Sequence, residues 1–239
     1  MTFFDFFLWV VFPYISMTIF IVGHFYRYYK DQFGWTAKSS QFLEQKKLRF
    51  GSIVFHWGII FVFFGHVAGL IVPKEFYDAI GITSDLYHLG AVSFGGLAGI
   101  ATVIGGFFLF LRRVTVKRVK QNSSMSDFVT LIILGGVVVV GFAATAAYTA
   151  TGGSFDYRVT IGPWIRGLLT FRPMPEYMAG APIGFQLHVL GAFILFAIWP
   201  FTRLVHVFSL PLHYLGRRYV VYRQAKPKKK TEFVQKKDI

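Results

Sequence analysis

Hydrophobic residues along the chain are gathered into five long stretches separated by polar connections. An α-helix needs about 20 residues to cross the roughly 30 Å hydrocarbon core of a bilayer. Each stretch is long enough, and together they occupy residues 3–26, 53–72, 89–111, 128–150 and 183–208. The pattern predicts an all-α integral membrane protein, in which a bundle of five transmembrane helices forms one membrane domain over residues 1–239.

Local features of the stretches are typical of packed membrane helices. The first has no basic segment before it and carries Asp5 near its start, so we expect a retained helix rather than a signal peptide. Pro13 and Pro200 lie inside stretches, where neighbouring helices can satisfy the backbone groups that proline frees. Small residues in the third and fourth stretches favour close helix packing: Gly95, Gly99, Gly105, Gly106, Gly135, Gly136 and Gly141. The proline-containing connection 151–182 is expected to cover the outer face.

The basic residues predict the orientation of the bundle. The net charge is +14, and 21 of the 25 Lys and Arg residues lie in the connections after the first and third stretches or from the fifth stretch onward. The positive-inside rule therefore places the N-terminus outside and the C-terminus, with a basic tail over residues 209–239, in the cytoplasm. Charges that alternate with membrane depth form no continuous stripe, which argues against a nucleic-acid partner. The Lys226–Lys230 run is suited either to a partner chain or to anionic membrane lipids.

The sequence contains no cysteine. Disulfides, thiolate zinc sites, covalently attached c-type haem and cysteine-ligated iron–sulfur clusters are therefore excluded in this chain.

Four histidines lie inside two stretches, His56 and His66 in the second and His188 and His206 in the fifth. An ionisable residue inside a membrane span is a candidate functional residue, although a single histidine can equally serve helix packing. Because the two helices are antiparallel, pairing by depth joins the outer two, His66 and His188, and the inner two, His56 and His206. Each pair can hold one haem iron from both sides, as in a b-type cytochrome.

Helix geometry supports this pairing in part. The 18 residues from His188 to His206 make five whole turns, so both would share one helix face. The two pairs imply unequal rises along their helices, about 15 Å on the second and about 27 Å on the fifth. Tilt and a kink at Pro200 would have to absorb that difference. His24, near the inner end of the first stretch, is the alternative inner ligand.

Three segments resemble the gamma subunit of respiratory nitrate reductase, a di-haem cytochrome b. They are FYRYYKDQFGWTAKSSQFLE at 25–44, HWGIIFVFFGHVAG at 56–69 and WPFTRLVHVFSLPLHYLGRRY at 199–219. The likeness extends over most of the chain in order, with the histidine spacings in register. It is weaker in the third and fourth stretches and in the outer connections.

The resemblance implies a subunit in the cytoplasmic membrane of a prokaryote that binds two haems b. His66 and His188 would bind the distal haem, and His56 and His206 the proximal one. Quinol, either menaquinol or ubiquinol, would be oxidised near the distal haem with release of protons outside. Electrons would then pass to an iron–sulfur beta subunit and to a molybdenum-cofactor alpha subunit that reduces nitrate in the cytoplasm. The absence of cysteine agrees with this division, because iron–sulfur centres must then lie on another chain.

The chain departs from the family at the expected quinol site. Relatives place a lysine just before the third span, whereas this sequence has Tyr87 and His88 there. Quinol oxidation needs a proton acceptor, and a histidine near neutral pKa is suited to that role. We therefore expect Tyr87 or His88 to act beside Gly65 and His66, with an interfacial aromatic belt as the alternative.

Arginine can pair with haem propionates through bidentate hydrogen bonds, and the candidates are Arg112, Arg113 and Arg203. All three also fit the positive-inside pattern. Two other functions remain open from the residues: a di-haem subunit of a different cytoplasmic reductase, such as one for sulfur compounds, and a haem-free transporter or membrane anchor.

Overall fold

The computed structural model describes residues 2–31, 34–36, 39–150 and 155–209. Within these ranges the chain is helical without strands, and five helices are long and apolar enough to cross a membrane. We name them α1 to α5: Phe3–Lys30, Lys46–Ile71, Ser84–Thr115, Met125–Ala150 and Ile183–Phe201. The predicted five-helix, all-α architecture is confirmed. The orientation stays a prediction, and the basic tail from residue 210 onward, with Lys226–Lys230, lies outside the described residues.

Pro13 shows how a proline fits inside α1. A proline has no N–H to donate to the carbonyl four residues earlier, here that of Trp9. The chain widens into a π-helical stretch at Phe7–Val11, and the Trp9 carbonyl accepts a hydrogen bond of 2.9 Å from the indole N–H of Trp164. A side chain from the α4–α5 connection therefore satisfies the backbone group that Pro13 frees.

Trp164 belongs to a short amphipathic helix, Ile161–Leu169, in the connection between α4 and α5. Its apolar face is buried against α1 and α5, where it forms a core with Trp9, Met178 and Phe193. The Tyr14 hydroxyl donates to the Leu168 carbonyl at 3.1 Å. The connection thus packs over the ends of two long helices, in keeping with the predicted cover.

Close approach of helices depends on a subset of the predicted glycines. A Cβ on Gly105 would collide with the backbone of Phe55 on α2, and a Cβ on Gly99 would lie 2.7 Å from the Phe142 ring on α4. Gly95, in contrast, has no described atom near its Cβ position. The glycine pattern therefore predicted tight packing correctly for α3, but only some of its members provide it.

The fifth stretch was predicted to be one membrane-spanning helix over residues 183–208. That prediction was wrong beyond residue 198, where the α-helix ends. The α-helical part, Ile183–Ile198, gives way to 3₁₀ turns at Trp199–Phe201 and Arg203–Val207, with an extended residue, Thr202, between them. Pro200 cannot continue the α-helical hydrogen bonds, and the Thr202 side chain caps the second turn. His206 consequently lies on a redirected 3₁₀ turn, and the argument from five whole helical turns does not apply to it.

Candidate cofactor sites between paired histidines

The structure brings the four intramembrane histidines together in the two predicted pairs. The ring centres of His66 and His188 lie 5.9 Å apart, and those of His56 and His206 lie 6.0 Å apart. The break in the fifth stretch explains how His206 reaches His56, because the chain changes direction at Thr202 instead of rising about 27 Å along one axis. Since ten residues separate His56 from His66, the pairs lie at two depths about 15 Å apart along α2.

Each of these rings is fixed by a hydrogen bond from Nδ1 to a backbone carbonyl. His66 donates to Val62 at 2.8 Å, His188 to Val137 at 2.9 Å, His56 to Ser52 at 2.7 Å and His206 to Arg203 at 2.7 Å. A carbonyl can only accept, so Nδ1 carries the proton in every case. The Nε2 lone pair is left for a metal, which is the usual orientation of metal-binding histidine.

The spacing of the rings fits an iron held between two imidazoles. Bonds from imidazole nitrogen to a first-row metal are about 2.0–2.1 Å long, so a metal midway separates the ring centres by about 6 Å. Nowhere in the described residues do three His, Cys, Asp or Glu side chains come together as a metal site. Each pair therefore offers two imidazoles to a metal, and a macrocycle such as haem would supply the remaining ligands.

Two residues of α4 contact the His188 ring and hold it in place, an arrangement that the sequence did not predict. A Cβ on Gly141 would lie 2.5 Å from Cε1 and Nδ1 of the His188 ring, and Val137, one turn earlier, accepts its Nδ1 proton. A glycine and a carbonyl on α4 therefore fix the position of a ring that belongs to α5. The glycines of this stretch indicated helix packing in general, and nothing in the pattern distinguished Gly141.

His24, the alternative inner ligand, lies in a different environment. Its ring contacts those of Phe20, Trp35 and Phe208, and its Nδ1 donates to the Phe20 carbonyl at 2.7 Å. The imidazole that faces His56 is that of His206.

The three arginines predicted to hold propionates all pair with groups of the chain itself. Arg112 is buried and donates to the Glu44 carboxylate at 2.8 Å and to Ser40 Oγ at 3.0 Å. Arg113 and Arg203 both contact the Asp127 carboxylate, at 2.9 and 3.3 Å. Burial opposes ionisation of Glu44, but hydrogen bonds from the Lys47 and Leu48 amides and from Arg112 outweigh it and lower its pKa. Arg112 and Arg113 therefore tie the α1–α2 connection and the start of α4 to the end of α3.

The predicted quinol-site residues separate into two environments. No described atom lies near the Cβ position of Gly65, so the surface beside it is open, and His88 is exposed at the start of α3. Tyr87 instead packs towards the end of α2, with its ring centre 4.8 Å from that of Tyr77 and 4.1 Å from the guanidinium carbon of Arg158. Consecutive helical residues point about 100° apart, which explains the divergence of Tyr87 and His88.

Asp156 and Arg158 form a bidentate ion pair beside Tyr87, and the sequence did not indicate either residue as part of the site. The Arg158 Nη2 lies 2.8 Å from the Asp156 carboxylate. Burial opposes ionisation of this carboxyl, but its hydrogen bonds with Arg158 outweigh that effect and lower the pKa of Asp156. The carboxylate therefore stays charged at neutral pH.

The described part of the chain has five long apolar helices, one histidine pair between α2 and α5, and one between α2 and the 3₁₀ turn after α5. These features define a helical protein of the membrane-spanning class with two candidate metal positions. Comparison with known proteins identifies the family. The model of the nitrate reductase gamma subunit family matches residues 5–225, so the chain belongs to that family. The resemblance inferred from the sequence is thereby confirmed, and membership supports a role in respiratory nitrate reduction.

Individual relatives agree with the family assignment. The chain is 50% identical over 217 residues to the nitrate reductase gamma chain of Bacillus subtilis (strain 168), covering 91% of this chain and 97% of that protein. It is 35% identical over 218 residues to the respiratory nitrate reductase 2 gamma chain of Escherichia coli (strain K12), covering 91% and 96%. It is 43% identical over 216 residues to the nitrate reductase-like protein NarX of Mycobacterium tuberculosis (strain ATCC 25618 / H37Rv), covering 90% of this chain but 33% of that protein.

Proposed function

We propose that this chain is the di-haem b subunit of a quinol:nitrate oxidoreductase complex. The observation that carries the proposal is the pair of histidine–histidine separations, 5.9 and 6.0 Å, each suited to one bis-imidazole iron. His66 and His188 would hold the distal haem, and His56 and His206 the proximal one. Haem b, when bound, supplies a one-electron carrier at each depth.

The residues of the chain would fix the orientation of the iron ligands and pair with the haem propionates. The four Nδ1 hydrogen bonds hold the imidazoles in one tautomer, which keeps Nε2 unprotonated for the metal. Of the arginines, Arg203 is the preferred propionate partner, because it lies on the same 3₁₀ turn as His206 and is about a quarter exposed. Arg112 and Arg113 are proposed mainly to fix the loops at their end of the bundle.

The complex requires further subunits. Because the sequence has no cysteine, an iron–sulfur centre that accepts the electrons would lie on another chain, which we propose to be a beta subunit that delivers them to a molybdenum-cofactor alpha subunit. We place the chain in the cytoplasmic membrane of a prokaryote, with quinol oxidised at the outer side and nitrate reduced at the cytoplasmic side. Menaquinol and ubiquinol are the candidate donors.

A reduced-minus-oxidised absorption spectrum of the purified complex tests this function. We expect b-type bands from two haems per chain, reduced by quinol and reoxidised when nitrate is added, because the two histidine pairs provide two axial sites. A folded complex without b-type bands would contradict the proposal and favour a haem-free anchor. Bands that reoxidise with a sulfur-compound acceptor but not with nitrate would favour a different reductase.

A second measurement concerns the proton acceptor of the proposed quinol site beside Gly65 and His66. We expect His88→Ala to lower quinol oxidation by about 10²–10⁴-fold, the usual contribution of a general base, if His88 takes the proton. Tyr87→Phe would instead have the larger effect if the Tyr87 hydroxyl, which faces that of Tyr157, is the hydrogen-bond partner of the quinol. Steady-state rates with a soluble quinol compare the variants, and His24→Ala is the matched control. Unchanged rates and inhibitor affinities in His88→Ala would exclude His88.

A further inference from the structure

Arg158 is an almost fully buried cation in the α4–α5 connection, next to Tyr157, which contacts Gly69 near the end of α2. Its Nε and Nη2 form a bidentate pair with Asp156, with Nε 3.0 Å from Oδ1 and Nη2 2.8 Å from Oδ2. The side chain of Arg158 is only 4% exposed, whereas that of Asp156 is 29% exposed. Two sides of the guanidinium are thus occupied by a carboxylate of the same loop.

The third side, Nη1, has no hydrogen-bond acceptor among the described residues although the atom is buried. Buried polar groups in native proteins nearly always have a partner, so an orphaned donor of this kind calls for a ligand or an ordered water. The guanidinium is planar and rigid, and its Nε and Nη2 are held by Asp156, so Nη1 cannot turn to find another acceptor.

Arg158 contacts Tyr87, one of the candidate residues of the proposed quinol site. Its guanidinium carbon lies 4.1 Å from the centre of the Tyr87 ring, and the Tyr87 hydroxyl lies 3.5 Å from that of Tyr157. A Cβ on Gly69 would lie 3.1 Å from the Tyr87 hydroxyl and 2.6 Å from the Tyr157 ring. Gly69 follows His66 by three residues, so the cluster lies less than one helical turn beyond that proposed ligand.

The local charge indicates what kind of ligand the donor suits. Asp156 neutralises the guanidinium, so a second carboxylate or a phosphate would bring uncompensated negative charge into a buried site. A neutral oxygen, such as the hydroxyl or carbonyl of a quinone ring, would accept from Nη1 without that cost. Tyr87 packs against the guanidinium, and Tyr77 and Tyr157 contact Tyr87 in turn, so the surroundings are aromatic.

We propose that Arg158 is a ligand-binding residue of the quinol site and that its Nη1 donates a hydrogen bond to a ring oxygen of the quinol, beside Tyr87 and Tyr157. The inference rests on the proposed function and adds a residue from the α4–α5 connection to it. It explains how a buried hydrogen-bond donor reaches the site although the start of α3 carries no lysine.

The test uses the assembled complex in membranes and a heptyl-hydroxyquinoline N-oxide as the quinol analogue. We expect Arg158→Gln to raise the dissociation constant of the analogue, followed by its fluorescence, by about 10- to 100-fold, the range for one hydrogen bond from a charged group. The KM for quinol should rise in parallel. Nitrate reduction driven by a viologen should persist, since it does not need the quinol site.

Two matched variants separate ligand binding from a structural role. Asp156→Asn weakens the same ion pair but keeps the guanidinium, so it should disturb analogue binding much less. Arg172→Gln removes an exposed arginine of the same connection and should change nothing. The proposal is overturned if Arg158→Gln binds the analogue like the wild type, in which case Nη1 serves a buried water only, or if Asp156→Asn weakens binding equally.

The haem spectrum keeps this proposal distinct from the proposed function. Haem bands in the wild-type complex are required for the function itself, whereas Arg158→Gln should retain them and lose only analogue affinity. Should Arg158→Gln fail to assemble, Arg158→Lys decides the matter. It keeps the charge but lacks the guanidinium fork, so weaker binding supports the proposal and unchanged binding overturns it.

Discussion

We expect His66→Ala and His188→Ala each to remove the same proposed haem b, and His56→Ala and His206→Ala each to remove the other. The expectation follows from the ring separations of 5.9 and 6.0 Å within the pairs and from the Nδ1 hydrogen bonds that leave every Nε2 available. Loss of a residue that merely orients a metal ligand lowers metal affinity about 10–100-fold, so loss of a ligand itself should reduce quinol-driven nitrate reduction by more than about 100-fold. Reduced-minus-oxidised spectra of the four variants, with redox titration to separate the two haems, measure the result.

His24→Ala is the matched control, because His24 is a histidine at the end of α1 whose ring contacts Phe20, Trp35 and Phe208. It should retain both haems. If His66→Ala and His188→Ala removed different haems, the pairing would be wrong. If His24→Ala removed the proximal haem while His206→Ala kept it, the inner ligands would be His24 and His56.

The histidine pairs were predictable from the sequence because the position of a residue in a membrane-spanning stretch predicts its depth in the bilayer. Each long apolar stretch indicates where a helix crosses the membrane, and successive helices cross in opposite directions. Depth alone therefore matches His66 with His188 and His56 with His206. The prediction of a continuous helix with a kink at Pro200 was wrong. The α-helix ends at Ile198, and the extended Thr202 redirects the chain so that His206 reaches His56.

Other parts of the site were not predictable because they depend on contacts between residues far apart in sequence. The hydrogen bond from His188 to Val137 spans 51 residues, that from Arg112 to Glu44 spans 68, and the contact between Tyr87 and Tyr157 spans 70. Hydropathy gives the depth of a residue but not the side of the helix that faces a particular neighbour. The arginines illustrate this, since the positive-inside pattern placed them correctly at the helix ends without showing that Arg112 pairs with Glu44.

We expect Gly141→Val to remove the proposed distal haem while leaving the proximal one. A Cβ at this position would lie 2.5 Å from two atoms of the His188 ring, so a branched side chain must displace the imidazole. The ring then loses its hydrogen bond to Val137 and the alignment of its Nε2 with His66. Overpacking of this kind costs about 1–3 kcal/mol, which predicts that the affinity for the distal haem falls by about 5- to 150-fold.

Gly135→Val is the matched control for this prediction, because it makes the same substitution on the same helix where no described atom lies within 4 Å of the Cβ position. Haem content per chain, read from the two components of a redox titration, should be normal in Gly135→Val and halved in Gly141→Val. Gly141→Ala should be intermediate, since a single methyl displaces the ring less than an isopropyl group. Full distal haem in Gly141→Val would show that the His188 ring can move without leaving the iron, and equal loss in both variants would indicate a general defect of α4 rather than pressure on His188.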